Sequence, residues 1–441
     1  MVTASPVMVD GVAYVGDWSG HLFAISVAHG HVLWSDRLGD SHHGAYGVIT
    51  SSAAVASGVA YVGAGDSLFA VDTADGHVRW HTDLDARHPT DSGEIESSPV
   101  VFDGVVYVGS DANQDSGYTG EGLWAISAKT GAPLWHFNPE VAVHHPLYGC
   151  GNVWSSPALD TTTKTLFFGT ADCPDNSGHQ CSADGSDALC HPGSAYDYTK
   201  RWSPLSEAII AISAVDGHVL WSHQDHVPLN KDDDDYGASA QLFTLANGRK
   251  VVGEGNKDGS YTVLDRANGA VVWHAVEQGN GNVHSGLAIG GFLGATAVLN
   301  GTVYGGSAID LPWTAHALTP FVAFAGATGA RSWQAVQFYS YAPTTAANGV
   351  VYEGALDDVL RAYDASSGRL LSAIPLGAPI SSGAAIGAGT LVIGTGTSET
   401  DLQFKVCDRL PALKAQCKAS ALNTTLNPLG DIAGIWGLAL A

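Results

Sequence analysis

The stretch that decides the fold reads Ser97-Ser98-Pro99-Val100-Val101, then Val105-Val106-Tyr107-Val108-Gly109, then Leu123-Trp124-Ala125-Ile126, then Gly131-Ala132-Pro133-Leu134-Trp135. β-Branched and aromatic residues recur at a period of two, and Gly-containing turns separate the runs, which is the pattern of short strands joined by tight turns. The last run is a closing element, a glycine followed four positions on by a tryptophan. It recurs as Gly30-His31-Val32-Leu33-Trp34, Gly76-His77-Val78-Arg79-Trp80, Gly217-His218-Val219-Leu220-Trp221, Gly269-Ala270-Val271-Val272-Trp273 and Gly329-Ala330-Arg331-Ser332-Trp333, and in degenerate form as Gly368-Arg369-Leu370-Leu371-Ser372. An eighth unit starts at Ile380-Ser381-Ser382, continues through Leu391-Val392-Ile393-Gly394 and has its third strand at Ile435-Trp436-Gly437-Leu438-Ala439.

A four-stranded unit repeated at this spacing predicts an all-β, eight-bladed β-propeller of four-stranded antiparallel blades, one domain over residues 1–441. Each repeated Trp is expected to dock between adjacent blades. His31, His77 and His218 are expected in exposed turns without a chemical role. The eighth unit lacks a fourth strand, so the ring is expected to close on a short blade or with strands from both chain ends.

With 43 acidic and 19 basic side chains the net charge is -24, which repels phosphate backbones and anionic surfaces and argues against nucleic acid as a partner. No apolar run is long enough to span a membrane as a helix. Cys150, Cys173, Cys181, Cys190, Cys407 and Cys417 include no CxxC or CxxCH, which excludes a covalently attached haem and the common zinc-ribbon spacing. Their even number in loop regions fits up to three disulfides of a secreted or periplasmic protein, most simply Cys181–Cys190, Cys407–Cys417 and Cys150–Cys173, with buried free thiols as the alternative. The chain opens directly on a strand-like segment, read as a mature form whose export signal has been removed.

Long loops in a compact ring are candidate functional segments. They fall at about 111–121, 172–206, 309–320 and 398–431, and the first three follow the second strand of their blades, which sends them to one face. Of the paired histidines, His42-His43 and His144-His145, solvated loops are the expected reading. Asn423-Thr424-Thr425 is a glycosylation sequon.

The units resemble those of quinoprotein alcohol dehydrogenases, which use pyrroloquinoline quinone (PQQ) with a metal ion, and the haem-free polyvinyl alcohol dehydrogenase-like branch looks closest. Three blocks carry the likeness. In Gly151-Asn152-Val153-Trp154-Ser155-Ser156-Pro157, followed by Phe168-Gly169-Thr170-Ala171-Asp172, the resemblance makes Trp154 the floor beneath the quinone and puts Asp172 at the position of a metal-ligating Asn. In Asn230-Lys231-Asp232-Asp233-Asp234-Asp235-Tyr236-Gly237, it makes Asp235 the base that takes the alcohol proton and a metal ligand, with Asp234 beside the cofactor. Gly237 stands where lanthanide-type members carry a further Asp, which points to a calcium-like ion. In Gly255-Asn256-Lys257-Asp258-Gly259, Lys257 matches the basic residue that polarises the quinone oxygens.

Family members also place a metal-ligating Glu and an Arg in the blade-three insertion. Here Asp115 is the nearest counterpart and Glu121 the second, the insertion holds no Arg, and no vicinal cysteine pair exists. Bland alternatives stand beside each block: an ordinary inter-blade Trp for Trp154, a solvated turn or plain calcium loop for the Asp run, a surface turn lysine for Lys257. The resemblance thus implies PQQ, Ca2+ and no haem. It implies a small-molecule or polymeric alcohol as substrate and a separate electron acceptor such as a cytochrome. The other function class is a non-catalytic secreted propeller that serves as a binding or scaffold protein.

Overall fold

The computed structural model describes residues 1–39, 47–84, 93–112, 121–139, 151–171, 205–225, 234–276, 291–308, 318–338, 340–397 and 434–440. Its strands form eight antiparallel blades in chain order: seven have four strands in sequential pairing, and the eighth has three among the described residues. Blade three is representative, with strands Val100–Phe102, Val105–Ala112, Gly122–Ser127 and Pro133–Phe137. Its first hairpin turns at Asp103 and Gly104, both at positive φ (51 and 78). That is the two-residue turn whose twist matches paired strands, and Asx-Gly is the dipeptide that adopts it most easily. Asp10-Gly11, Asn300-Gly301 and Asn348-Gly349 repeat it.

First strands of consecutive blades touch one another, which places them around the axis and the fourth strands at the rim. A chain of hydrogen bonds runs with them: the N–H groups of Ser5, Ser52, Ser98 and Ser156 donate in turn to the hydroxyls of Ser52, Ser98, Ser156 and Ser239. This explains the Ser-Ser and Ser-Pro pairs that precede the first strands. The ring closes by the same device, with the Gly383 N–H donating to Ser5 Oγ at 2.9 Å.

The closing tryptophans dock between blades as expected. Each indole N–H of Trp34, Trp80, Trp135, Trp221, Trp273 and Trp333 donates to a backbone carbonyl of the next blade: Thr73, Ala128, Ala214, Arg266, Gly326 and Ala365 respectively. Each ring also lies against the glycine that opens the next closing element, and a Cβ on Gly217 would stand 2.8 Å from Trp135. The pattern G-x-x-x-W is therefore a lock and its seat: the Trp serves the next seam and the Gly receives the previous Trp. Blade seven carries Ser372 in place of the Trp, and its last strand, Leu370–Pro375, is exposed throughout. His31, His77 and His218 are exposed in their turns, as expected.

A second repeated contact positions the functional end of the ring. In seven of the eight blades a glycine at or near the end of the second strand receives a side chain from the segment entering the next blade. Gly16 meets Ile49, Gly63 meets Ile95, Gly109 meets Val153, Gly169 meets Tyr236, Gly255 meets Phe292, Gly354 meets Ile380 and Gly394 meets Val2. These plugs are buried, so the residues on either side of each occupy equivalent places near one end of the axis.

The strand limits trim two expected insertions. Asp111 and Ala112 extend the second strand of blade three by pairing with Glu94 and Gly93, and residues 318–320 belong to a third strand, Leu318–Ala325. Ile435–Ala439 pairs with Thr390–Gly394 as the third strand of blade eight. The cysteines, both histidine pairs and the sequon lie outside the described residues.

Candidate functional site

Three of the sequence-marked residues converge. Trp154 follows the plug Val153 at the entry to blade four. Asp235 precedes the plug Tyr236 at the entry to blade five. Lys257 sits in the turn between the second and third strands of blade five, Lys250–Gly255 and Ser260–Asp265. Lys257 Nζ lies 2.7 Å from Asp235 Oδ2, and the Trp154 indole N–H donates to the same oxygen at 3.3 Å. The ammonium also stands 5.1 Å from the centroid of the Trp154 ring, within cation–π range.

Two alternatives fall on burial. The Lys257 and Asp235 side chains are only 11% and 5% exposed, so neither is a surface turn residue. Trp154 makes none of the carbonyl contacts of the closing tryptophans. It leans instead over Gly237, where a Cβ would be 1.8 Å from Cη2. The glycine is required there by the indole, which gives a steric reason for the absence of a further Asp.

Backbone contacts fix the constellation. The Lys257 N–H donates to the Asp235 carbonyl at 3.0 Å, and Asn256 Nδ2 donates to the Asp234 carbonyl at 2.6 Å. Asn256 is fully buried, and its own Oδ1 accepts from the Asp258 N–H, which shapes the turn presenting Lys257. Asp234 is half-buried beside this hinge. Asp115 and Asp172, the other expected metal ligands, lie outside the described residues, as do Asp232 and Asp233.

The structure adds two carboxylates that the sequence did not single out, Asp111 and Glu94, and describes a third, Glu121. Asp111, in blade three, is pushed up to about 8 by burial and then by the charges of Glu96 and Asp235, against the pull of Lys257. Glu94, its strand partner, is raised to about 7 by burial and by Asp111. Glu121, named as the second candidate in its insertion, is fully buried and raised to about 7 by burial, although it accepts a bond from Asn138 Nδ2. Glu94 Oε1, Asp111 Oδ1 and Glu121 Oε2 have no hydrogen-bond partner among the described residues. Lys257 therefore acts on two of these carboxyl groups, Asp235 and Asp111, and burial favours keeping Asp111 protonated. Among the described residues, no group of three or more His, Cys, Asp or Glu is placed to hold a metal ion, and no helix is long and apolar enough to cross a membrane.

Eight antiparallel blades, Trp-locked seams and a polar cluster at one end of the axis define a propeller of the PQQ-repeat class. The chain belongs to the family described as outer membrane protein assembly factor BamB, whose sequence profile matches residues 42–173 and 204–369. No curated protein matches it. Three solved structures illustrate its likenesses. Quinohemoprotein alcohol dehydrogenase from Comamonas testosteroni has a TM-score of 0.69 at 20% identity, over 90% of this chain and 71% of that one. A europium-containing methanol dehydrogenase has 0.72 at 15%, over 98% and 89%. BamB from Moraxella catarrhalis has 0.58 at 14%, over 89% and 91%. At such identities the likeness is one of fold.

Proposed function

We propose that this chain is a PQQ- and metal-dependent dehydrogenase that oxidises an alcohol to an aldehyde or ketone. The observation that carries the reading is the meeting of Trp154, Asp235 and Lys257, each drawn from a different segment, at one end of the ring. The donor set fits a flat, oxygen-rich cofactor: an indole face for stacking, an ammonium for carbonyl or carboxylate oxygens, and a buried carboxylate at the indole edge. PQQ, when bound, supplies a two-electron acceptor for the hydrogen removed from the alcohol carbon. Trp154 would support its plane, with Lys257 and Asp234 alongside. Asp235 would take the hydroxyl proton, a role that needs an ionised carboxylate within hydrogen-bond reach. Lys257 Nζ lies 2.7 Å from that carboxylate and helps to hold it at the edge of the indole.

Asp172, Asp115 and Asp235 remain the proposed ligands for a calcium-like ion, as oxygen donors suited to a hard cation. Asp111 is a described carboxylate whose charge is coupled to Asp235 and Lys257. The proposal includes a small or polymeric alcohol as substrate, a separate acceptor such as a cytochrome, kinship with the haem-free branch, disulfides among the six cysteines, a single domain over 1–441 and a secreted or periplasmic location.

A second reading is favoured by one observation. Lys257 already satisfies both Asp235 and the face of Trp154, so the cluster is complete as a structural unit. With a family description that names an assembly factor, this fits a non-catalytic binding or scaffold propeller. Reconstitution with PQQ and calcium, followed by dye reduction with simple alcohols, separates the two. The enzyme reading expects turnover in the wild type and, in Asp235→Asn, retained cofactor with turnover reduced at least ~100-fold. Bound cofactor without turnover in the wild type sinks it.

A further inference from the structure

Asp225 lies beyond the end of the last strand of blade four, Val219–His223, and belongs to no motif in the sequence. Its carboxylate gathers donors from three segments. Oδ1 is 2.9 Å from His223 Nε2. Oδ2 accepts from the Tyr236 hydroxyl and from Thr262 Oγ1, a third-strand residue of blade five. Thr262 Oγ1 is also 2.9 Å from His274 Nδ1. A hydroxyl has one proton, so when Thr262 donates it to Asp225, His274 must present N–H at Nδ1. An ionised carboxylate only accepts, so His223 must present N–H at Nε2. Burial opposes the charge on Asp225, but the bonds from His223, His274, Thr262 and Tyr236 outweigh it and hold the carboxyl far below the usual range.

Tyr236 links this anion to the candidate site. Its ring is fully buried as the plug against Gly169, and its backbone continues directly from Asp235. The short segment 234–236 is thus held by Asn256 at the Asp234 carbonyl, by the Lys257 N–H at the Asp235 carbonyl, by the Thr170 carbonyl at the Tyr236 N–H and by Asp225 at the Tyr236 hydroxyl. The first two grips come from the turn that carries Lys257. The other holds tie the segment to blade four, the blade that supplies Trp154, and among them the Asp225 bond is the one made at the far end of the Tyr236 ring. The plug on Gly169 and the backbone bond to Thr170 fix the depth of Tyr236, and the hydroxyl bond to Asp225 fixes the direction of its ring.

We propose that Asp225 is a positioning residue: acting through Tyr236, it sets where the Asp235 carboxylate stands relative to Trp154 and Lys257. The catalytic consequence rests on the dehydrogenase reading above; the positional claim does not.

The test uses the full chain with Tyr236→Phe and Asp225→Asn. The first arm needs no cofactor. It measures the acylation rate of each lysine amine by mass spectrometry. Lys257 is protected by its pairing with Asp235, whereas Lys164 and Lys250 are each 51% exposed and serve as internal references. Both variants should raise the Lys257 rate by about tenfold with the reference lysines unchanged, because a displaced Asp235 no longer holds the ammonium. In the second arm, reconstituted Tyr236→Phe should lose about tenfold in kcat with KM within about twofold, the signature of a misplaced base rather than lost binding.

Should Asp225→Asn fail to fold, Tyr236→Phe, which deletes one oxygen from a packed ring, decides alone. An unchanged Lys257 rate, or a rise shared by Lys164 and Lys250, overturns the positioning role. A wild type that shows neither PQQ binding nor turnover counts against the dehydrogenase reading, while the labelling arm still decides the positional claim.

Discussion

Replacing Glu353 by glutamine should change how stability depends on pH. Glu353 lies on the second strand of blade seven, Val350–Gly354, and its side chain reaches into blade six, where a Cβ on Gly306 would stand 2.0 Å from Oε1. Ser340 Oγ donates to Oε1, and Thr344 Oγ1 donates to Oε2 at 2.7 Å. Burial pushes the group from 4.5 up to about 8, with the two hydroxyls and Arg361 pulling the other way. Between those values the folded chain holds a proton that the unfolded chain has released. Stability therefore falls as pH rises through this window, by about 1.4 kcal/mol per pH unit for the full effect.

From pH 5 to pH 8 the wild type should lose up to ~4 kcal/mol through this one residue. Glutamine keeps the shape and carries no charge at any pH, so its own packing penalty is constant and drops out of the slope. Urea midpoints of the wild type and Glu353→Gln, measured at pH 5, 6.5 and 8, should diverge in favour of the variant as pH rises. Parallel curves would mean instead that Glu353 is ionised in the fold with Arg361 as its counter-charge.

Three further outcomes follow from the seams and the site. Trp135→Ala removes a lock that donates to the Ala214 carbonyl and packs on Gly217, and should cost about 3–5 kcal/mol in unfolding free energy by denaturant titration. Arg266→Met should cost about 3 kcal/mol, because Arg266 bonds Asp160 Oδ2 at 2.8 Å together with the Phe243 and Val251 carbonyls, and its loss strips a buried carboxylate of its main partner. Gly237→Ala places a methyl 1.8 Å from Trp154 Cη2 and should drive the indole aside at a cost of about 1–3 kcal/mol. In calorimetric titration that variant should also weaken PQQ binding, whereas Gly437→Ala in blade eight, where a Cβ meets only Thr390 Cγ2 at 3.9 Å, should leave it unchanged.

The ring was legible because its signals are local. Alternation marks each strand, Asx-Gly marks the first hairpin, and Gly-x-x-x-Trp carries both halves of the seam. Asp235 and Lys257 were legible for a related reason: backbone and Asn256 bonds bring the entry of blade five beside the turn between its own second and third strands, so motif spacing within one blade maps onto distance. Asp111 was not legible, because its coupling to Asp235 and Lys257 depends on how blades three and five come together, which no local pattern encodes, and Glu94 enters only as the strand partner of Asp111. Asp225 was hidden for a different reason. It is a lone acid ten residues before Asp235, and its importance appears only once Tyr236, Thr262 and two histidines close around it. Asp115, Asp172 and the cysteines are sequence expectations whose places fall outside the described residues.

The most direct test of the central claim is a titration of the metal-free, cofactor-free protein with PQQ in the presence of calcium, read by calorimetry for the wild type, Trp154→Ala and Lys257→Met. One site at micromolar affinity or tighter is expected in the wild type, weakened at least ~10-fold in each variant, since stacking and charge-assisted bonds to an anionic ligand each contribute about 1.5–3 kcal/mol. No heat of binding in the wild type, or equal affinity in all three proteins, would contradict the claim that Trp154, Asp235 and Lys257 form a quinone site.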